Sequence, residues 1–360
     1  MRIVQIIDSL DAGGAERMAV NYANALAGQI SFSGLVTTRK EGPLLNEITS
    51  NCSYLFSNKK QTIDVRAIFK LRKYIVTNKV EIIHSHGTSF FTAVLLKIVY
   101  PKIKIIWHEH YGARVHQTAS DNIILILCSF FFNAVFVVNN QLLDWVKQKT
   151  FCKKVLYIPN FTDFDTEKKG TTVLQGNSGK RIVCVANLKK PKNHLVLLRA
   201  FNALVVDNIE WTLHLIGEEY RDGYSKEIQD YIKKENLESF VFVYGAKSDM
   251  KNILSQATIG VLASTAEGFP VSLLEYGLAG LPTISTNVGS CPELIKDNVT
   301  GLLFDPKNEV ELKKQLYKMI SDKSLRDRFG VYLQELVVDK YSKKHILKLL
   351  IAKCEEIKNE

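Results

Sequence analysis

The chain has 360 residues, enough for about two domains with separate cores. Hydrophobic residues make up 46% and charged residues 23%, a globular balance that excludes a disordered, collagen-like or coiled-coil protein. The net charge of +10 is uneven: residues 1–160 hold 19 Lys+Arg against 10 Asp+Glu, and residues 161–360 hold 28 against 27. The first half is therefore expected to meet something anionic, whether nucleic acid, a membrane surface or a phosphorylated substrate.

The opening MRIVQIID reads as a buried strand and not as a secretory leader. Six cysteines (Cys52, Cys128, Cys152, Cys184, Cys291, Cys354) show no CxxC spacing. That argues against a disulfide framework or zinc ribbon and suits a reducing, cytoplasmic setting. Strands are predicted at Arg2–Ile7, Gly34–Thr37, Ser53–Phe56, Val80–His84, Lys104–Trp107, Ala134–Val138 and Val155–Ile158. A second series follows at Arg181–Val185, Thr212–Ile216, Val241–Tyr244, Ile259–Leu262, Thr283–Ser285 and Leu302–Phe304. Helical periods such as Ala15–Ala27, Asp64–Asn78, Asn193–Val206 and Glu309–Ile320 lie between them, so the class is α/β with parallel sheets. Polar residues 159–180 read as the linker. The expectation is two doubly wound, Rossmann-like domains whose strand ends face a common cleft. Residues 123–138 hold 14 apolar residues in 16, short of the ~20 that a membrane span needs. They are split into a helix over 121–131, packed on the sheet, and the strand after it.

Several loops carry candidate chemistry. Gly13 and Gly14 follow the first strand, where glycine admits a phosphate or sugar to a helix N-terminus. The surrounding DSLDAGGAE matches neither the dinucleotide nor the P-loop fingerprint. The pairs His84/His86 and His108/His110 sit at strand ends, each pair on one face. They suit sugar binding or proton sharing, and the alternative reading is a metal-dependent hydrolase. Asp163 and Asp165 form a DxD outside any buried strand and read as a chance match. In NLKKPKNH, which runs from Asn187 to His194, Lys189, Lys190 and Lys192 lie where a cation can neutralise a departing phosphate. The sharpest pattern is EGFPVSLLE. Pro270 suits the first helical position and Gly280 the helix stop, leaving Gly268, Phe269, Pro270 and Val271 around an N-terminus suited to a diphosphate. Glu267 and Glu275 are placed to accept from sugar hydroxyls.

These motifs resemble, in order and over almost the whole length, the family 4 retaining glycosyltransferases of GT-B fold found in bacterial polysaccharide biosynthesis. The matching stretches include GGAER, IIHSHG, WHEHYG, LYIPNFTD, VANLKKPKNH and EGFPVSLLEYGLAGLPTISTNVGSCPELI. The resemblance implies transfer from a nucleotide-diphosphate sugar, UDP favoured, to a saccharide acceptor, lipid-linked or free, with no metal or other cofactor and no nucleic acid. It assigns Glu275 to the ribose hydroxyls, Glu267 to the donor sugar, backbone of Phe269–Val271 and Gly14 to the diphosphate, Lys192 to the leaving phosphate and His110 to the transferred sugar. The family commonly has Arg where Asn187 stands, and Lys189 is the candidate replacement. The implied organisation is an acceptor domain over 1–165, a linker over 166–180 and a donor domain over 181–340, with helix 341–360 crossing back to complete the first. The basic segment 64–78, with Arg66, Lys70, Arg72 and Lys73, predicts peripheral attachment to the inner face of the cell membrane for a lipid-linked acceptor.

Overall fold

The computed structural model describes residues 1–164 and 170–360, so Asp165 of the DxD lies outside the described residues. The chain divides into two compact units, one of Met1–Phe161 with Lys343–Glu360, the other Thr162–Ser342.

The first unit holds seven parallel strands: β1 (Arg2–Ser9), β2 (Phe32–Lys40), β3 (Ser53–Phe56), β4 (Ile82–His86), β5 (Lys104–Glu109), β6 (Ala134–Val137) and β7 (Val155–Tyr157). Their order is β3-β2-β1-β4-β5-β6-β7. β-Branched runs such as Ile3–Ile7 and Ala134–Val137 are covered on both faces, as parallel sheets require. The terminal helix Lys343–Lys358 packs on helix Gly14–Ala27, and Glu81 receives Lys358 at 2.8 Å.

The second unit holds six parallel strands: β8 (Arg181–Val185), β9 (Thr212–Ile216), β10 (Val241–Val243), β11 (Ile259–Leu262), β12 (Thr283–Thr286) and β13 (Leu302–Phe304). The order β10-β9-β8-β11-β12-β13 reverses direction between β8 and β11, the switch point where α/β sheets bind ligands.

Two expectations need correction, at Pro270 and at 121–131. Residues 170–180, within the segment read as the linker, are held to the second unit. Asp249 accepts from Thr171 N and Thr172 N at 2.8 Å and from Thr172 Oγ1 at 2.9 Å, and Leu174 is buried. Burial opposes that carboxylate, but the Thr172 and Thr171 bonds overcome it and hold its pKa at about 2. Polar composition hid this packing because the partners are backbone amides. Pro270 is the N-cap, in extended conformation, and helix Val271–Leu278 starts after it. The helix expected over 121–131 is broken into a 3-10 turn at Ser120–Asn122, an α-helix at Ile123–Cys128 and a 3-10 turn at Ser129–Phe131. Only Leu125, Cys128 and Ser129 of 123–131 face inward.

Candidate active site

Strand pairing explains how two distant sequence motifs meet. Ile182 pairs with Ile259 and Val183 with Gly260, so the loops after β8 and β11 leave the sheet side by side. Thr265 N donates to Pro191 O at 2.8 Å, joining them. Tyr276, on the following helix, accepts from Val185 N at 2.7 Å and donates to Val261 O at 3.3 Å, locking both strand ends. Lys192 Nζ then reaches Glu267 Oε1 at 2.6 Å. The lysine side chain is 30% exposed and the glutamate 9%, so a nearly buried carboxylate is neutralised by a cation that still touches solvent. Lys192 closes the 3-10 turn Lys190–Lys192, and Asn193 after it adopts φ 56° with its amide on Pro306 O at 3.0 Å.

The Glu267–Gly268 backbone is pinned from behind. Ser290 Oγ donates to Gly268 O at 2.6 Å and Ser290 N to the same oxygen at 3.3 Å. A Cβ on Gly289, at φ 53°, would stand 2.0 Å from Glu267 O, so only glycine lets the two loops approach. Glu275 sits one turn into helix Val271–Leu278 and is buried. Phe269 is buried against Tyr341, ring centroids 5.2 Å apart. Anionic groups are favoured at this helix N-terminus by its dipole.

Asn187 and Lys189 are turned together toward Tyr220. Asn187 Oδ1 accepts from Glu218 N at 2.9 Å, its amide donates to Tyr220 OH at 3.3 Å, and Lys189 Nζ lies 4.3 Å from the Tyr220 ring centroid. Tyr220, Tyr276, Gly289 and Ser290 were not singled out by sequence reasoning. Their roles follow from strand order, which periodicity does not encode.

In the first unit, Gly13 is the extended N-cap of helix Gly14–Ala27. A Cβ on Gly13 would meet Glu16 Oε2 at 2.1 Å, whereas one on Gly14 meets nothing within 4 Å. The open backbone is thus at Gly14. Register pairs His86 with His108 and His84 with Ile106, which gathers both histidine pairs into one stack. His84 Nε2 lies 3.1 Å from His108 Nδ1, and His86 Nδ1 3.0 Å from His110 Nε2. His86 Nε2 meets Gln5 Oε1 at 2.8 Å. Tyr22 covers His84, His86 and His108 at centroid distances of 5.4, 6.1 and 5.8 Å. Burial pushes His84 and His110 down to about 3 and His86 and His108 well below the ordinary imidazole value, so all four are neutral at pH 7.

Ring nitrogens of His84, His86 and His108 lie within 4.8 Å of one another, which is the grouping the hydrolase alternative needs. A catalytic metal site also needs an open position for water and, commonly, a carboxylate. These three imidazoles are fully buried, and Glu109 is turned to an ion pair with Arg114. Burial raises the Glu109 pKa against the pull of Arg114. Excess EDTA is expected to leave turnover unchanged, and Asp163→Ala to leave it within a few-fold. Activity lost to chelator and restored by manganese would reverse that expectation.

Two family models match the chain: "Glycosyltransferase Family 4" over residues 12–166 and "Glycosyl transferases group 1" over residues 167–335. The chain belongs to glycosyltransferase family 4. This glycosyltransferase is 22% identical over 339 residues to the Escherichia coli UDP-Gal:α-D-GlcNAc-diphosphoundecaprenol α-1,3-galactosyltransferase, covering 87% of the chain and 86% of the relative. It is 25% identical over 366 residues to a Campylobacter jejuni α-1,4-N-acetyl-D-galactosaminyltransferase named for a diphosphoundecaprenol-linked acceptor, covering 100% and 99%. The crystal structure of Anabaena HepE in complex with UDP and glucose superposes with a TM-score of 0.82 at 14% identity, over 99% of this chain and 100% of that one. The fold is therefore GT-B, and the enzyme is a transferase.

Proposed function

We propose that this glycosyltransferase moves a hexosyl unit from a UDP-sugar to a hydroxyl of a saccharide carried on a polyprenyl diphosphate, with retention at the anomeric carbon and without metal. The observation that carries the reading is the Lys192–Glu267 pair, 2.6 Å apart, beside the N-terminus of helix Val271–Leu278, which also carries buried Glu275. The relatives named for diphosphoundecaprenol-linked acceptors and the UDP held by HepE support the choice of donor and acceptor. Such an acceptor places the enzyme at the inner face of the cell membrane.

In the step itself, the bond from the anomeric carbon to the β-phosphate oxygen breaks and a bond to the acceptor oxygen forms on the same face. The acceptor proton passes to the departing phosphate. No side chain serves as nucleophile; positioning and preorganised charge supply the acceleration. Donor binding draws the Lys192 ammonium onto the diphosphate and releases Glu267 to accept from sugar hydroxyls. Phe269 and Val271 amides hold the diphosphate, and Glu275 accepts from the ribose. Asn187 and Lys189, fixed on Tyr220, line the same loop. The roles that the resemblance gives Gly14 and His110, and the phosphate- or sugar-admitting turn read at Gly13, all on the first unit, belong to the same proposal.

Glu275→Ala is expected to weaken UDP binding by roughly 10- to 150-fold, the loss of a charged hydrogen-bond acceptor at about 1.5–3 kcal/mol. Calorimetric titration with UDP reads this directly, alongside a melting curve to establish that the variant is folded. Unchanged UDP affinity contradicts the assignment.

A further inference from the structure

Residues 59–154 hold 15 Lys+Arg and 5 Asp+Glu, while the rest of the chain holds 32 of each. The whole +10 excess therefore belongs to this stretch of the first unit. Within it, Ile123, Ile124, Leu127 and Phe130 are each more than half exposed, and Phe131 is exposed as well. Spacings of one, four, seven and eight residues put these side chains on one face of a helical turn. Leu125 and Cys128 supply the opposite face to the core. Phe130 stacks on exposed Phe151, ring centroids 3.8 Å apart. Two and four residues before Phe151, the exposed Lys149 and Lys147 end helix Asn140–Lys149.

The neighbouring helix Phe90–Val99 packs beside Ile123–Cys128 and beside helix Val65–Thr77, and it leaves Ile98 exposed. On Val65–Thr77, exposed Val65, Phe69 and Val76 alternate with exposed Arg66 and Lys73. Lys70 and Arg72 bond to the carbonyls of Phe56 and Val99, not to carboxylates. A core-facing role accounts for none of these exposed apolar groups.

We propose that the segment Ile123–Phe131, with Phe151 beside it, is a wedge that enters the acyl boundary of an anionic bilayer while the cations of helices Val65–Thr77 and Asn140–Lys149 lie on the headgroups. The inference rests on the membrane placement proposed above and deepens it by naming the inserting surface. Positive charge around an apolar face is the complement of an anionic leaflet. No described helix is long and apolar enough to cross a membrane, so insertion is shallow.

The test uses the full chain. The six native cysteines are buried, so Leu127→Cys takes an environment-sensitive fluorophore selectively. With phosphatidylglycerol-containing vesicles at low salt its emission is expected to shift blue, and shallow nitroxide-labelled lipid to quench it. The same label at Lys233→Cys, on the second unit, is expected to stay unchanged. Ile124→Asp with Phe130→Asp is expected to weaken vesicle binding by roughly 10- to 100-fold as apolar groups leave the interface, with UDP binding and melting temperature retained. Wild-type protein that binds the vesicles while the label at position 127 stays in water overturns the wedge but leaves the membrane placement standing. Wild-type protein that does not bind them at all overturns both. A wild-type dimer that the double variant converts to monomer, with vesicle binding unchanged, assigns the face to a second copy of the chain and overturns the wedge.

Discussion

Lys192→Ala is expected to lower kcat by about 10²–10³-fold and to raise KM for the donor by a smaller factor, because the ammonium already meets the diphosphate in the bound donor while the charge on the leaving group develops fully only in the transition state. The size follows from losing one preorganised cationic donor, held by a carboxylate that is 9% exposed. Removing the lysine also strands that carboxylate, so some stability is lost for a reason unrelated to the chemistry. Lys192→Ala combined with Glu267→Gln separates the two effects. The pair of substitutions is expected to recover the melting temperature and to leave kcat low. Steady-state kinetics and thermal melts of Lys192→Ala, Glu267→Gln and the double variant decide it. A Lys192→Ala enzyme with wild-type kcat would show that the ion pair is a fold device only.

Acidification from about pH 7.5 to about pH 5.5 is expected to destabilise the first unit more than the second. His84 and His110 are held at about 3, and His86 and His108 well below the ordinary value, all by burial. In the second unit only His194 and His214 are lowered, each to about 4, again mainly by burial. The unfolded chain takes up protons as pH falls through about 6.5, and the folded chain does not until far lower. Stability is therefore full above that value and declines below it, by about 1 kcal/mol per histidine per pH unit. Four such imidazoles against two give the first unit the steeper decline. Hydrogen exchange measured across that range reads each unit separately. Equal loss in both would mean that water reaches the histidine stack.

Much of the fold is legible because parallel strands buried on both faces leave unbroken apolar runs. β3, β8, β9, β11 and β13 coincide with the expected segments, and the others differ by a few residues at their ends. The Glu267–Glu275 run was legible as a helix N-terminus because Pro270 and Gly280 punctuate it, although Pro270 proved to be the cap itself. The contact between Lys192 and Glu267 was not legible. It depends on β8 lying next to β11, and hydrophobic period does not report strand order. The histidine stack depends likewise on the register of β4 with β5. Segment 121–131 departs from the expectation because apolar composition does not report burial: five of its seven large apolar side chains, Ile123, Ile124, Leu127, Phe130 and Phe131, are exposed. The anchoring of residues 170–180 is not legible either, since Asp249 holds them through backbone amides that composition cannot display.

The proposed transfer of a sugar from a UDP-sugar to a polyprenyl-diphosphate-linked saccharide is read out by mass spectrometry of the acceptor. Enzyme, a panel of UDP-sugars and a short-chain lipid-diphosphate saccharide are incubated with EDTA present, and released UDP is measured in parallel. One donor is expected to extend the acceptor by one hexosyl unit with one equivalent of UDP released. UDP release without acceptor extension, or extension only after a divalent metal is added back, would contradict it.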